Sequence, residues 1–318
     1  MKALRHGDRW VVAIGGNALA DPHDPMALAH QDQRADMLAG PLVEAVMSGK
    51  RLVMVHGNGP QVGARLIQSE AGRLQAPPLP LHVLVAETQG QIGHYVGAAI
   101  SRELARRGRT DQVACLVTHV VVHPDAPEFA NPDKPVGLIY SLEEGTRLAH
   151  DRAWVMREVA GGGMRRVVPS PRPLEVVEQA SIGKLMEAGV CVIAGGGGGV
   201  SVARGSGGFH GVDAVVDKDY TAERIAAGLG AARLVILTDV PGAALSFGKA
   251  GQEYLRTMTT SQAREHVARQ EFAPGSMAPK VEACVEFVEG GGHEAVIAAT
   301  YATEAALLGN GGTRIIAG

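Results

Sequence analysis

Residues 52–60 read LVMVHGNGP: four apolar residues in a row, then a histidine and a Gly-Asn-Gly-Pro turn. An apolar run this short, closed by glycine and proline, reads as a strand buried on both faces, because a strand with one wet face would alternate. The same pattern recurs on either side. Runs at 11–14, 113–117, 190–194, 234–237 and 295–298 are equally short and apolar, and helical patterns separate most of them. Such alternation implies an α/β fold around a mostly parallel sheet. One helix is legible residue by residue: Val281, Cys284, Val285 and Val288 fall at i, i+3, i+4 and i+7, and Pro279 fits its first turn.

The loops at the ends of these strands carry the chemistry. The first run continues into Gly15, Gly16 and Asn17, the second into Gly57, Asn58 and Gly59, the fourth into Gly195 through Gly199, and the fifth into Thr238 and Asp239. In open α/β sheets ligands bind beyond the carboxyl ends of the strands, so these loops should converge on one crevice. A single glycine loop is explained by a tight turn; four are better explained by backbone N–H groups approaching an anion. Glycine is abundant throughout, at 42 of 318 residues, about twice the usual share of roughly 7%. The stretch 118–173 differs, with seven prolines and few long apolar runs, and reads as an insertion or lid. Two lobes of similar size should meet near 175–190.

Composition narrows the function classes. With 46% hydrophobic and 20% charged residues the chain has the makings of a core, and disorder is excluded. The formal net charge of −3 and the lack of a basic run argue against a nucleic-acid or membrane surface. Cys115, Cys191 and Cys284 lie far apart in apolar surroundings, which fits reduced thiols and a cytoplasmic protein. No stretch is long and apolar enough for a membrane span. There is no GxxxxGK[ST] loop, no complete GxGxxG, no GxSxG and no HExxH. His119 and His123 come nearest to metal-ligand spacing, but a site needs three or four ligands.

The charges beside the loops are informative. Asp217, Lys218 and Asp219 precede a helix patterned by Ala222, Ile225, Ala226 and Leu229, and Asp219 suits its N-cap. Lys218 there, and Lys280 in the first turn of the helix after 272–280, set a cation against the helix dipole, which calls for an anion nearby. Lys134 sits between Pro132 and Pro135 in a loop. Glycine loops with several lysines and an aspartate suit phosphoryl transfer, where positioning and charge stabilisation do most of the catalysis and no nucleophilic side chain is needed.

Nine ordered segments then resemble the carbamate kinases of the amino acid kinase superfamily: AIGGNAL (13–19), VHGNGPQVG (55–63), ETQGQIGHY (87–95), NPDKPVG (131–137), RRVVPSPRP (165–173), AGGGGGV (194–200), GVDAVVDKD (211–219), VILTDV (235–240) and FAPGSMAPK (272–280). The resemblance implies a three-layer α/β/α sandwich with a small protruding subdomain at about 120–172. It implies an amino-terminal lobe, 1–185, for carbamate or carbamoyl phosphate, and a carboxy-terminal lobe, 186–318, for ADP or ATP. Mg²⁺ would enter through the nucleotide phosphates, with no protein metal site. By motif position, Gly15, Gly16, Asn17, Gly57, Asn58 and Gly59 would cradle the phosphoryl and carbamoyl groups. Lys134, Lys218, Asp219 and Lys280 would be catalytic, and Thr238, Asp239, Gly275, Met277 and Lys280 would bind nucleotide. A homodimer working at the end of arginine fermentation, towards ATP, is also implied. Departures from the family pattern at Leu138, Ser201, Tyr220 and Pro241 bear on nucleotide affinity and lid closure. Two other readings are a kinase of the same superfamily with another acceptor, and a nucleotide-binding protein without turnover.

Overall fold

The computed structural model describes residues 6–19, 31–110, 112–159 and 161–318, with the side chains of His6 and Asn17 outside that description. Its centre is an eight-stranded sheet built from β1 (Arg9–Ile14), β2 (Arg51–His56), β3 (Val113–Cys115), β4 (Cys191–Ile193), β5 (Arg233–Thr238), β6 (Thr257–Thr259), β7 (Glu294–Ala299) and β8 (Thr313–Ile316). The order is β6-β8-β7-β5-β1-β2-β4-β3. Only β7 and β8 pair antiparallel; the other neighbours are parallel. All six apolar runs lie in this sheet, although the run at 113–117 is strand only to Cys115.

Seven helices position the loops and the charged side chains: α1 (Gln31–Met47), α2 (Gly59–Ala71), α3 (Leu81–Arg106), α4 (Leu142–Arg152), α5 (Gln179–Glu187), α6 (Lys218–Gly228) and α7 (Met277–Glu289). Side chains alternate across each strand, which divides the core in two. Val11 and Ala13 join Ile225 of α6, Leu229 at its C-cap, and Val281 and Val285 of α7 on one face. Val12 and Ile14 join Leu38 and Leu42 of α1 and Ile92 and Val96 of α3 on the other. Each fully buried aliphatic side chain contributes roughly 1.5–3 kcal/mol, so a helix layer on both faces stabilises a sheet whose central strands have no polar face to turn to water. This is the three-layer α/β/α arrangement.

A second, four-stranded sheet and a three-stranded sheet stand apart from the central one. The latter pairs Lys134–Tyr140 with Met164–Val168, and that strand with Met156–Glu158, all antiparallel; α4 packs on it. A third core of Val62, Leu66, Val85, Val121, Val136 and Val168 ties this small sheet to α2 and α3. That contact sets Lys134, the first residue of its strand, beside the amino terminus of α2. Within the four-stranded sheet His119 is taken by Glu178, its Nδ1 at 2.8 Å from Oε1. All three cysteines are free.

Candidate active site

The carboxyl ends of β1, β2 and β5 open on a cleft of about 300 Å³. Backbone hydrogen bonds continue past the strands and hold the loops in register. Gly57 N–H donates to Ile14 O at 2.8 Å, and Gly15 N–H to Leu237 O at 3.1 Å. The loops meet backbone to backbone: a Cβ on Gly57 would stand 2.6 Å from the amide nitrogen of Gly16, so only glycine allows this approach. Gly197, at φ +64°, lies against Asn58, and a Cβ there would fall 2.1 Å from Nδ2. The buried Asn58 donates from Nδ2 to Thr88 Oγ1 at 2.9 Å. Beneath the loop, fully buried His56 contacts Gly57 O through Nδ1 at 3.1 Å. A carbonyl can only accept, so Nδ1 carries a proton. Burial lowers its pKa to about 4, partly opposed by that hydrogen bond.

Three lysines reach the cleft from three elements. Lys134 Nζ donates to Asp217 Oδ2 at 2.7 Å. Lys218 Nζ lies 2.5 Å from Asp219 Oδ1, and Lys280 Nζ lies 2.9 Å from Asp219 Oδ2. Asp219, 1% exposed, thus bridges two ammonium groups carried by α6 and α7. The anion that both helix-terminal lysines call for is, in the first instance, this carboxylate. Burial lowers the pKa of Lys218, against the pull of Asp219 and with added repulsion from Lys280. Burial also acts on Lys280, but Asp219, Asp217 and Asp239 together raise its pKa above the usual lysine value. Burial alone would raise Asp217, yet Lys134 and Lys218 outweigh it and hold its carboxyl well below the usual range.

The expected cap is displaced by two residues. Asp217, not Asp219, is the N-cap of α6, accepting from Asp219 N–H at 3.0 Å. Asp219 faces the lysines because position 217 already satisfies the helix end.

Of the residues singled out from the sequence, the cleft is lined by Gly15, Gly16, Gly57, Asn58, Gly59, Lys134, Lys218, Asp219, Thr238, Asp239, Gly275 and Lys280. Met277 is not among them; it opens α7 packed against the core. The backbone of Asn17 is in a 3₁₀ turn, and its side chain lies outside the described residues. Arg165, Asp217 and a wall of Val62, Val136, Val215 and Val216 also line the cleft and were not anticipated as site residues. Arg165 donates from Nε to Gly137 O at 3.0 Å, and burial alone lowers its pKa. Among the described residues it is the cleft cation without a carboxylate partner. No periodicity marks it, since its direction is set by the pairing of its strand. The apolar wall was hidden because its four valines come from three separate segments. Across the lining, four cations face three carboxylates. The cleft thus carries a net positive charge, with an apolar wall on one side.

Two of the departures from the family pattern, Ser201 and Tyr220, have local partners. Buried Ser201 donates to Ala214 O at 3.0 Å, and the Tyr220 hydroxyl to Glu282 Oε2 at 2.5 Å. Leu138 and Ile139 are exposed on the small sheet.

Comparison with known proteins places this geometry. The family model for the amino acid kinase family matches residues 8–299. A carbamate kinase of Pyrococcus furiosus is 40% identical over 312 residues, covering 98% of this chain and 99% of that protein. One from Trichomonas vaginalis is 41% identical over 313 residues, 97% of this chain and 99% of the other. The solved structure of carbamate kinase from Giardia lamblia bound to AMP-PNP superposes with a TM-score of 0.92 at 36% identity, with 100% of both chains covered. At 16% identity and a TM-score of 0.57, N-acetylglutamate synthase from Neisseria gonorrhoeae shares the fold alone.

Proposed function

The chain belongs to the amino acid kinase family and, within it, to the carbamate kinases, which makes it a phosphotransferase; on that premise we propose that it transfers a phosphoryl group reversibly between carbamoyl phosphate and ADP. The observation that carries the residue assignment is the excess of cations over carboxylates in one cleft fed from both halves of the sheet. Two anions must approach to bonding distance there, and their repulsion is offset only by fixed positive charge and oriented N–H groups.

The loops at Gly15–Gly16 and Gly57–Gly59, the latter opening α2, supply N–H donors to the phosphoryl oxygens from Gly16, Asn58 and Gly59, since those of Gly15 and Gly57 are held by Leu237 O and Ile14 O. Lys218 stands between the substrates and neutralises charge on the transferred group, with Lys134 on the carbamoyl side and Lys280 on the nucleotide side. Asp219 aims Lys218 and Lys280. Thr238, Asp239 and Gly275 border the nucleotide, and Arg165 adds a second cation on the carbamoyl phosphate side. In the ATP-forming direction a β-phosphate oxygen of ADP bonds to phosphorus as the bond from phosphorus to the carbamate oxygen breaks. Carbamate then leaves and decomposes to ammonia and carbon dioxide. No side chain becomes covalently modified.

The nucleotide is proposed to enter as its Mg²⁺ complex. The described residues hold no cluster of three His, Cys, Asp or Glu placed to bind an ion by themselves, and Asp217, Asp219 and Asp239 line the cleft where the phosphates would lie. The ATP-forming direction, a place in arginine and carbamoyl phosphate catabolism, lobe roles split near 185, cytoplasmic location and a homodimer are parts of the same proposal. None of the described helices is long and apolar enough to cross a membrane.

The test is a coupled assay for ATP from ADP and carbamoyl phosphate, with and without Mg²⁺. Formation of ATP only with Mg²⁺ is expected; a flat trace alongside calorimetric ADP binding would instead mark a nucleotide-binding protein without turnover. A sedimentation mass equal to that of one chain would reject the dimer.

A further inference from the structure

Just outside the cleft, one arginine touches both helices that carry the lysine pair. Arg172 lies four residues beyond the small sheet: Val168, the register partner of Lys134, is succeeded by Pro169, Ser170 and Pro171. Pro171 and Pro173, both buried, bracket Arg172 and fix its backbone. Val215 N–H donates to Pro169 O at 2.9 Å, so the segment is tied down before it reaches the helices.

The guanidinium makes three contacts at once. Nη1 donates to Glu286 Oε1 at 3.0 Å and Nη2 to Glu282 Oε2 at 2.6 Å. Its carbon lies 3.5 Å from the centre of the Tyr220 ring. Tyr220 closes the unit by donating its hydroxyl to the same Glu282 oxygen. Glu282 and Glu286 sit one turn apart on α7, two and six residues after Lys280, and Tyr220 comes directly after Asp219 on α6. Only a planar, forked cation can stack on a ring while bonding two carboxylates; a lysine ammonium offers one point charge. Tyr220 is also where this chain departs from the carbamate kinase pattern.

We propose that Arg172 is a positioning residue: by clamping Tyr220, Glu282 and Glu286 it fixes the distance between the strand bearing Lys134 and the two helices bearing Lys218, Asp219 and Lys280. The inference rests on the phosphotransfer role proposed for those residues. Lys134 and Arg165 are the cleft cations that come from the small sheet, and Lys218 and Lys280 arrive on the helices. A shift of about 1 Å between the two bodies would cost on the order of 10²-fold in turnover, while ADP, bound mainly to the helix side, would notice little.

The experiment compares wild type, Arg172→Ala, Arg172→Lys and Tyr220→Phe by kcat, KM for carbamoyl phosphate, ADP dissociation constant and thermal midpoint. Arg172→Ala should lower kcat by at least about 10-fold with the ADP constant within about threefold, as expected for lost positioning. Arg172→Lys should recover only a minor part, and Tyr220→Phe, which keeps the ring and loses the hydroxyl, should fall between. A folded Arg172→Ala enzyme with wild-type kcat, or full recovery by lysine, overturns the proposal. Should Arg172→Ala not fold, Glu286→Gln removes one arm only; a smaller fall in kcat supports the clamp and an unchanged kcat overturns it. Should wild type itself fail to make ATP, the functional reading is at fault, and amide exchange decides the clamp. Faster exchange across 134–140 and 164–168 in Arg172→Ala supports it, and unchanged exchange overturns it.

Discussion

Asp219→Asn keeps the shape of the side chain and removes one charge from beneath two lysines. In the native protein this carboxylate is 1% exposed, 2.5 Å from Lys218 Nζ and 2.9 Å from Lys280 Nζ. Removing one partner of a buried pair costs about 3–5 kcal/mol because the remaining charge stays buried. Here the amide oxygen still accepts from one lysine and Asp217 remains close to Lys218, so about 2–3 kcal/mol is expected after that partial compensation. For a chain of this size that corresponds to a fall of roughly 3–5 °C in thermal midpoint.

Two further consequences separate this account from general damage. The cleft of the variant is more positive, so saturating ADP should stabilise it by about 1 kcal/mol more than it stabilises wild type, by linkage to binding. Turnover should fall by about 10²-fold, as for loss of a group that aims transition-state charge. Scanning calorimetry with and without ADP, beside the coupled assay, measures all three. An unchanged midpoint together with an unchanged ADP increment would refute the claim that Asp219 holds the two lysines.

Gly57→Ala should force the first two glycine loops apart, since its Cβ would lie 2.6 Å from Gly16 N; a loss of about 1–3 kcal/mol, as for overpacking, and a fall in kcat of at least about 10²-fold are expected, read by denaturant melts and the assay. Arg165→Ala should raise KM for carbamoyl phosphate by about 10-fold or more, the loss of a charge-assisted hydrogen bond, with ADP binding unchanged; an equal loss of ADP affinity would place Arg165 on the nucleotide instead. His56 gives a pH signature. Its folded pKa is lowered from 6.5 to about 4, so the unfolded chain takes up a proton first as pH falls, and the stability this ring contributes is complete above 6.5 and lost on the way down to 4. The full loss is about 3 kcal/mol by linkage, and His56→Gln should show a flatter acid limb in urea melts at pH 7, 5.5 and 4.5.

The apolar runs, the loops after them and the lysines set against helix dipoles were legible because each is a local property. Four apolar residues ending in glycine describe a buried parallel strand wherever its neighbours lie, and Lys280 in the first turn of α7 is anomalous on its own helix. Met277 shows the limit of such reading: its place in a motif does not say which way the side chain turns, and it packs inward. The capping of α6 by Asp217 was a choice between two aspartates two residues apart, decided by what else each could reach.

Alone, the chain determined a parallel-sheet α/β protein with glycine loops and helix-end lysines beyond its strands, since strand burial, glycine loops and helix-end charges are written in neighbouring residues. Tertiary structure decided which carboxylate serves which lysine. Asp219 and Lys280 are 61 residues apart and Lys134 and Asp217 are 83, and a Coulomb interaction depends on distance in space, which no local pattern encodes. It also decided that Arg165 would line the cleft with no carboxylate partner among the described residues and that Arg172 would meet Tyr220 and Glu282. Those encounters exist only once the small sheet has docked on α2 and the two helices have packed side by side on the central one.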